Sequence, residues 1–394
     1  MKILMILDSE LPDQRVEKEA LILIQNGHEV SVMCLSSGNK QKRITVFKGI
    51  NIYRIKLNKH IRKKLHALYL ILPIYKWIWS YHINKKLNKE TFHALHIHDL
   101  PLSDIGLRMK NKYELKLICD QHEYYSNWIV QTKHLNTFLG KIVNRLSNWK
   151  SYEKKYLRKA DLVITIEEPL RQEYIRQVDI SPDNIINLPN TPLKEFSKIK
   201  IDQKIKDHYK DYFVLFYAGG ISALRGLNVP LKAIKKISKK IPNIKIVLAG
   251  KVSSNNEIIT KAKELKVDKY IDFTGWVSLE SIPSYISASD ICFHVPIVSR
   301  EETNKTIATK IYQYIVIGKP IICSDAKMMK ELIENNKIGL SISSGNAEDF
   351  ADKVIELYNN PEIRKKYEDN CNKIADRVIW ENTSKKMIQK YKSL

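Results

Sequence analysis

"KILMILDSELPDQRVEKEALILIQNGHEVSVMCL", residues 2–35, decides the fold. An apolar run, Lys2–Leu7, ends in acid at Asp8 and reads as a strand rather than a signal peptide. Apolar positions 16, 20, 21, 23 and 24 then recur at helical spacing, and Asn26-Gly27 supplies a helix stop. A second apolar run, Glu29–Leu35, follows at once. Strand, loop, helix, strand is the repeating unit of a parallel sheet.

The alternation continues along the chain. Further strands are expected at Ala94–His98, Leu115–Cys119, Asp161–Ile166 and Ile185–Leu188. A second series is expected at Phe213–Ala218, Ile244–Ala249, Ile271–Thr274, Ile291–Val295, Pro320–Cys323 and Ile338–Ile342. Between the series, Pro189-Asn190-Thr191-Pro192 and a charged stretch to Tyr212 disfavour regular structure. The reading is an α/β protein with two doubly wound domains, residues 1–190 and 213–379, joined by a linker at 191–212. Such sheets bind ligands at the carboxyl ends of their strands, so two of them facing one another imply a cleft.

Bulk composition agrees with that division. A chain of 394 residues exceeds one ordinary core, and 44% apolar residues suffice for two. The five cysteines are scattered without metal or redox spacing, which points to buried thiols in a reducing cytoplasm. The longest apolar window, Leu65–Ile83, contains His66, Pro73, Lys76 and His82, which argues against a spanning helix. A net charge of +23 calls for an anionic partner: nucleic acid, an anionic membrane or a phosphorylated substrate. Residues 56–89 concentrate that charge, with nine Lys/Arg and no acid around Tyr69, Tyr75, Trp77, Trp79 and Tyr81. Basic residues beside interfacial aromatics suit a helix lying on an anionic membrane, while an aliphatic face would pack on the sheet.

Chemistry concentrates in "FVLFYAGGISALRG", residues 213–226. Here a strand runs into Gly219-Gly220 and a turn bearing Arg225-Gly226. Glycines after a strand let backbone approach an anion, and an arginine beside them adds a bidentate charge. Lys310 and Gln313 stand one turn apart on a helix that stops at Gly318. His96, His98 and Asp99 have poor spacing for a metal site, so His98 and Asp99 are expected to line the cleft while His96 packs.

Seven further stretches fall in a telling order. They are "ALHIHDLP" (94–101), "CDQHEYYSNW" (119–128), "ADLVITIEEPLRQEY" (160–174), "NLPNTP" (187–192), "IVLAGK" (246–251), "IDFTGWVSLESIPSYISASDICFHVP" (271–296) and "KIYQYIVIGKPIICSD" (310–325). With Asp13–Cys34 they resemble the retaining glycosyltransferases of family 4, also called group 1, in their bacterial cell-surface polysaccharide branch. The resemblance covers nearly the whole chain and implies the GT-B architecture, two Rossmann-like domains facing across a cleft. It implies sugar transfer from a nucleotide-sugar bound on the C-terminal domain to a glycan or lipid-linked acceptor on the N-terminal side. It also implies that residues 380–394 cross back to the N-terminal domain. No cofactor or metal is expected, because basic residues carry the diphosphate charge.

Residue by residue, the resemblance assigns Arg225 to the departing diphosphate beside Gly219 and Gly220, where relatives often carry a second arginine in place of Gly220. Trp276 and Val277 match the segment that receives the nucleobase. His122 matches a histidine that contacts the transferring sugar, and Arg15 a position beside the phosphate and acceptor edge. Many members carry two glutamates eight positions apart before the glycine-x-proline. Here those positions hold Lys305 and Gln313. Gln313 can still hydrogen-bond ribose hydroxyls. Glu301 or Glu302 could stand in for the sugar-facing carboxylate, and Lys310 offers the diphosphate a second cation.

Three rivals remain open on sequence alone. A sugar-nucleotide epimerase would need clustered carboxylates in the cleft. A nucleic-acid-binding protein should show a recognition module, and none is visible. A catalytically weakened nucleotide-sugar binder would explain the two missing glutamates.

Overall fold

The computed structural model describes residues 1–38, 41–129, 144–252, 256–299 and 301–394. The chain divides into two compact units, Met1–Asn190 with Ser384–Leu394, and Thr191–Thr383.

The N-terminal unit is built on eight strands: β1 Lys2–Glu10, β2 Glu29–Ser36, β3 Ile44–Phe47, β4 Ile50–Lys56, β5 Ala94–His98, β6 Lys116–Gln121, β7 Leu162–Thr165 and β8 Ile185–Asn187. Their order is β3-β4-β2-β1-β5-β6-β7-β8, parallel except for the β3–β4 hairpin. Ile3 to Ile6 at the centre are fully buried, as expected of a strand covered on both faces. The helix Gln14–Gln25 starts where Asp13 accepts the backbone N–H groups of Arg15 and Val16. It ends at Asn26, with Gly27 in the left-handed region at φ +82°.

The C-terminal unit carries six parallel strands: β9 Phe213–Ala218, β10 Ile244–Ala249, β11 Ile271–Gly275, β12 Ile291–His294, β13 Ile321–Ser324 and β14 Gly339–Ile342. Their order is β11-β10-β9-β12-β13-β14. Strand order reverses between β1 and β5 in the first sheet and between β9 and β12 in the second. Crevices for ligands open at such switch points.

Every strand expected from the sequence is present, and β3 and β4 are additional. The stretch 191–212 is not an open linker. It holds a 3-10 turn at Lys194–Lys198 and a helix at Gln203–Tyr209, and buries Phe196 and Tyr209 in the core of the C-terminal unit. Its two aromatic anchors outweigh the prolines that precede them. Trp380 also stays with this unit, its N–H donating to the Pro192 carbonyl at 2.7 Å. The last helix, Lys385–Ser393, belongs to the N-terminal unit and buries Met387 and Tyr391 there.

Residues 56–89 form two helices, Lys59–Ala67 and Ile74–Leu87. The packed side is largely aromatic: Tyr69, Tyr75 and Trp79 are buried with Ile83 and Leu87. Ile61, Leu68, Ile71, Leu72, Ile74, Trp77 and Tyr81 are exposed instead. The expected division is thus corrected. Three of the five aromatics belong to the core, and much of the aliphatic surface faces out. The tyrosines pack because the interior satisfies their hydroxyls, as when Tyr69 donates to Asp104 at 2.6 Å. All five cysteines are free and buried, and burial pushes the Cys119 and Cys292 thiols up to about 12.

Candidate functional site

Each unit brings chemistry to its own switch point. In the C-terminal unit, β9 ends at Gly219, held at φ +141° with its N–H on the Ala249 carbonyl at 2.8 Å. A Cβ there would stand 2.7 Å from the Lys310 Nζ and 3.2 Å from the Tyr217 hydroxyl. Glycine therefore makes room for the ammonium. The Lys310 Nζ lies 4.2 Å from the centre of the Tyr217 ring, a cation–π contact. The turn Ala223–Arg225 closes on Gly226 at φ +76°. A Cβ on Gly226 would meet the Val295 carbonyl at 1.7 Å, so this turn is seated on the end of β12.

Beside that seat, His294 is buried with an unpartnered Nδ1, and burial holds it neutral, well below the ordinary histidine range. Lys310 is pushed down to about 7, first by burial and then by the positive charge of Arg225. Arg225 itself is exposed. Among the described residues, neither cation has a carboxylate within ion-pair distance. A part-buried ammonium without a counter-ion is costly, and an anion relieves that cost.

The other residues expected around the nucleotide are spread nearby in sequence. Gln313 lies one turn on from Lys310 in the helix Thr309–Ile317 and is part-buried. That helix stops at Gly318, where φ is +82°. Trp276 is 74% exposed just after β11, while Val277 packs against the core. Glu301 is one of the two candidates for the missing sugar-facing carboxylate. It is exposed and committed to Lys305, with Nζ 2.6 Å from Oε1. Glu302 is part-buried, its carbonyl accepting the Lys305 N–H at 3.0 Å.

In the N-terminal unit the ends of β1, β5 and β6 enclose a network of charge. The Arg15 guanidinium forks onto Asp120, with Nε to Oδ2 and an Nη to Oδ1 both at 2.8 Å. Its other Nη donates to the Leu188 carbonyl at 2.9 Å. His122 places Nε2 2.8 Å from Asp120 Oδ2 and 3.1 Å from His98 Nδ1. Its Nδ1 lies 3.8 Å from Asp99 Oδ1. Behind these groups His98 stacks on His96 at 4.3 Å, and His96 Nδ1 meets the Tyr391 hydroxyl at 2.7 Å.

The protonation states follow from position. Burial alone would raise Asp120, but the charges of Arg15 and His122 outweigh it and hold the carboxyl well below its ordinary range. Burial would lower His122, but the Asp120 charge outweighs it and raises the imidazole to about 9. Glu19 lies 3.0 Å from the Arg15 Nε yet receives no hydrogen bond from it, because that N–H is aimed at Asp120. Burial and the Asp120 charge push Glu19 well above its ordinary value, the opposite direction from Asp120. Burial keeps His96 and His98 neutral. Ligand atoms of Glu19, His96, His98 and Asp120 lie within 4.8 Å of one another, a spacing that would suit a metal. The Arg15 guanidinium already supplies the positive charge that a metal would bring to those carboxylates.

Two expectations are therefore corrected. Arg15 is 4% exposed and turned inward, with three of its five N–H donors held by Asp120 and Leu188, so it does not line an open cleft. His98 is fully buried rather than cleft-lining, because β5 is covered on both faces. His96 packs as expected. Of this group only His122, 15% exposed, and Asp99 reach solvent. Sequence reasoning missed Asp120, Glu19 and Tyr391 in this unit and Tyr217 and His294 in the other. The Asp-x-His spacing in "CDQHE" was the one available signal.

Comparisons with known proteins bear on the whole chain. The family described as Glycosyltransferase Family 4 matches residues 18–191, and that described as Glycosyl transferases group 1 matches residues 198–374. Alpha-D-kanosaminyltransferase of Streptomyces kanamyceticus is 21% identical over 245 residues, 61% of each chain. Alpha-monoglucosyldiacylglycerol synthase of Acholeplasma laidlawii is 20% identical over 313 residues, 77% of this chain and 74% of its own. Among solved structures, sucrose-phosphate synthase from Thermosynechococcus elongatus superposes with a TM-score of 0.77 at 14% identity, covering 100% of this chain and 98% of the other. HepE of Anabaena in complex with UDP gives 0.73 at 14% identity, covering both chains fully. At such identity the structural likeness establishes the GT-B fold.

Proposed function

We propose that this chain, which belongs to the family 4, group 1 glycosyltransferases, transfers a sugar with retention of configuration from a nucleoside-diphosphate sugar to a glycan or lipid-linked acceptor in cell-surface polysaccharide synthesis. The observation that carries the donor half is the unpaired cation pair at the β9–β12 switch point: Arg225 exposed, Lys310 part-buried against Tyr217 and Gly219, and no carboxylate beside either among the described residues. A diphosphate is the anion that fits. As the sugar–phosphate bond breaks, negative charge grows on the departing phosphate. Arg225, Lys310 and the Gly219-Gly220 backbone stabilise it by electrostatic preorganisation. No metal or cofactor is called for in this reading. Trp276 and Val277 receive the base, Gln313 the ribose, and His122 a hydroxyl of the transferring sugar, with Asp99 on the acceptor side. Structures of the same fold in complex with UDP and with UDP-glucose favour a nucleotide-sugar donor.

Thermal-shift measurements with UDP, GDP, ADP, CMP and dTDP and their sugars test this reading. One diphosphate should raise the melting temperature, and Arg225→Ala should abolish the rise, because a ligand stabilises the state that it binds. No rise with any nucleotide would reject the donor site. Binding without turnover would leave a nucleotide-sugar binder.

The acceptor half implies work at the inner face of the cell membrane. Among the described residues no helix is long and apolar enough to cross a membrane. The exposed Ile61, Ile71, Ile74, Trp77 and Tyr81 share the segment 56–89 with nine basic residues and no acid, a surface suited to anionic lipid. Ile71→Ser with Trp77→Ser should weaken sedimentation with phosphatidylglycerol vesicles. Unchanged sedimentation would remove the membrane from the proposal.

A further inference from the structure

We propose that Asp120, gripped by Arg15, is the positioning residue that turns His122 so that its Nε2–H is spent inward and its Nδ1–H is the one donor offered outward. The inference rests on the reading in which His122 meets the transferring sugar, and it deepens that reading.

The geometry is restrictive. Both oxygens of Asp120 are held by the Arg15 fork at 2.8 Å, so the carboxylate cannot rotate without breaking two charge-assisted bonds. Arg15 is pinned in turn by the Leu188 carbonyl at 2.9 Å, the residue after β8. Three segments of the sheet edge thus converge on one carboxylate. Asp120 Oδ2 then stands 2.8 Å from His122 Nε2, which must donate to it. That assigns the proton on Nε2 and leaves Nδ1 as the outward nitrogen, on the side of Asp99.

Charge counting says why the arrangement yields a donor rather than a base. Two acids, Glu19 and Asp120, face one guanidinium. Arg15 and Asp120 cancel, Glu19 is pushed towards its neutral form by burial and the Asp120 charge, and the imidazolium of His122, raised to about 9, is the charge left at the open end. His96 and His98, both neutral, fill the space behind it, and Tyr391 closes the rear through its hydroxyl on His96. The titratable and charged groups around His122 are therefore Asp120, Asp99, Arg15, Glu19 and His98, and only Asp120 is both ionised and in hydrogen-bond contact. An imidazolium so held can donate from Nδ1 to a hydroxyl or phosphate oxygen, but it cannot take a proton from an acceptor. Asp120 touches no ligand in this arrangement; it acts through His122.

The test is a titration of the imidazole carbons by NMR on the full chain with isotope-labelled histidine, assigned with His122→Gln. The wild-type His122 resonance should stay in its protonated form past pH 8, with a midpoint near 9. In Asp120→Asn the midpoint should drop towards the ordinary histidine value of 6.5. With a donor and acceptor in hand, the same variant should lower kcat more than it raises KM and move the alkaline limb of the pH profile down. A wild-type midpoint near 6.5 would overturn the inference without any variant, so a failure of Asp120→Asn to fold does not shelter it. An unchanged midpoint in a folded Asp120→Asn would overturn it equally. Because the titration needs no substrate, its failure is distinct from a failure of the sugar-transfer reading, which would show as absent nucleotide binding with the titration as expected.

Discussion

The two switch points of this chain handle charge in opposite ways. At the edge of β1, β5 and β6, the charges are paired within the fold: Arg15 and His122 both on Asp120, with Glu19 pushed towards its neutral form by burial. At the edge of β9 and β12, Arg225 and Lys310 stand without a carboxylate among the described residues, beside an orphaned His294 nitrogen. The first arrangement spends its charge on holding one side chain still. The second leaves its charge unspent, which is the condition for binding an anion. A buried network and a binding site can contain the same residue types, and the partner count separates them.

The largest effects should break this comparison cleanly if it is wrong. Arg15→Ala strips a buried carboxylate of its cation, and breaking such a pair costs roughly 3–5 kcal/mol. Urea unfolding of the N-terminal unit should report that loss. Arg225→Ala removes an exposed, unpaired charge, so folding stability should stay within about 0.5 kcal/mol. Its cost should appear in turnover instead, on the order of 10²–10³ in kcat, the usual scale for deleting one donor to a developing anion. A stable Arg15→Ala, or an Arg225→Ala that unfolds, would reverse the roles assigned to the two edges.

What the sequence disclosed follows the same divide. Most of the twelve expected strands were legible as near-continuous apolar runs, as parallel strands covered on both faces must be, whereas β11 is mixed and lies at a sheet edge. The hairpin of β3 and β4 was not legible, because it alternates and leaves Ile44 and Val46 exposed at the sheet edge. The position of Arg225 and Lys310 at a strand end among glycines was legible, since the glycines and the end of an apolar run announce where they stand. The N-terminal network was not. Arg15 and His98 look like cleft residues until the fold shows them buried. Tyr391 reaches His96 across 295 positions, a contact that only the folded chain makes. Residues 191–212 misled for a similar reason, since their prolines are local and the pockets for Phe196 and Tyr209 are not.

The smallest effect is also the sharpest test, because it sets the two edges against each other on one pH axis. Lys310 is held down to about 7 by burial and by Arg225, so its free amine is half charged near neutrality. A diphosphate favours the charged form. Affinity for the nucleotide should therefore be full below pH 7 and weaken as pH rises above it, by up to about tenfold per unit until the bound amine itself titrates. Lys310→Arg should flatten this limb, because a guanidinium keeps its charge throughout. His122 is shifted the other way, upward, although its effect too is lost as pH rises. Its folded value, near 9, lies above the ordinary 6.5, so its ion pair with Asp120 stabilises the N-terminal unit fully below pH 6.5 and is lost as pH climbs through 9. Calorimetric nucleotide binding and thermal unfolding, each followed from pH 6 to 10, would read the two limbs separately. If Lys310→Arg leaves the affinity limb in place, the titrating group is not Lys310. If His122→Gln leaves the stability limb in place, the N-terminal network does not hold its charge on that imidazole.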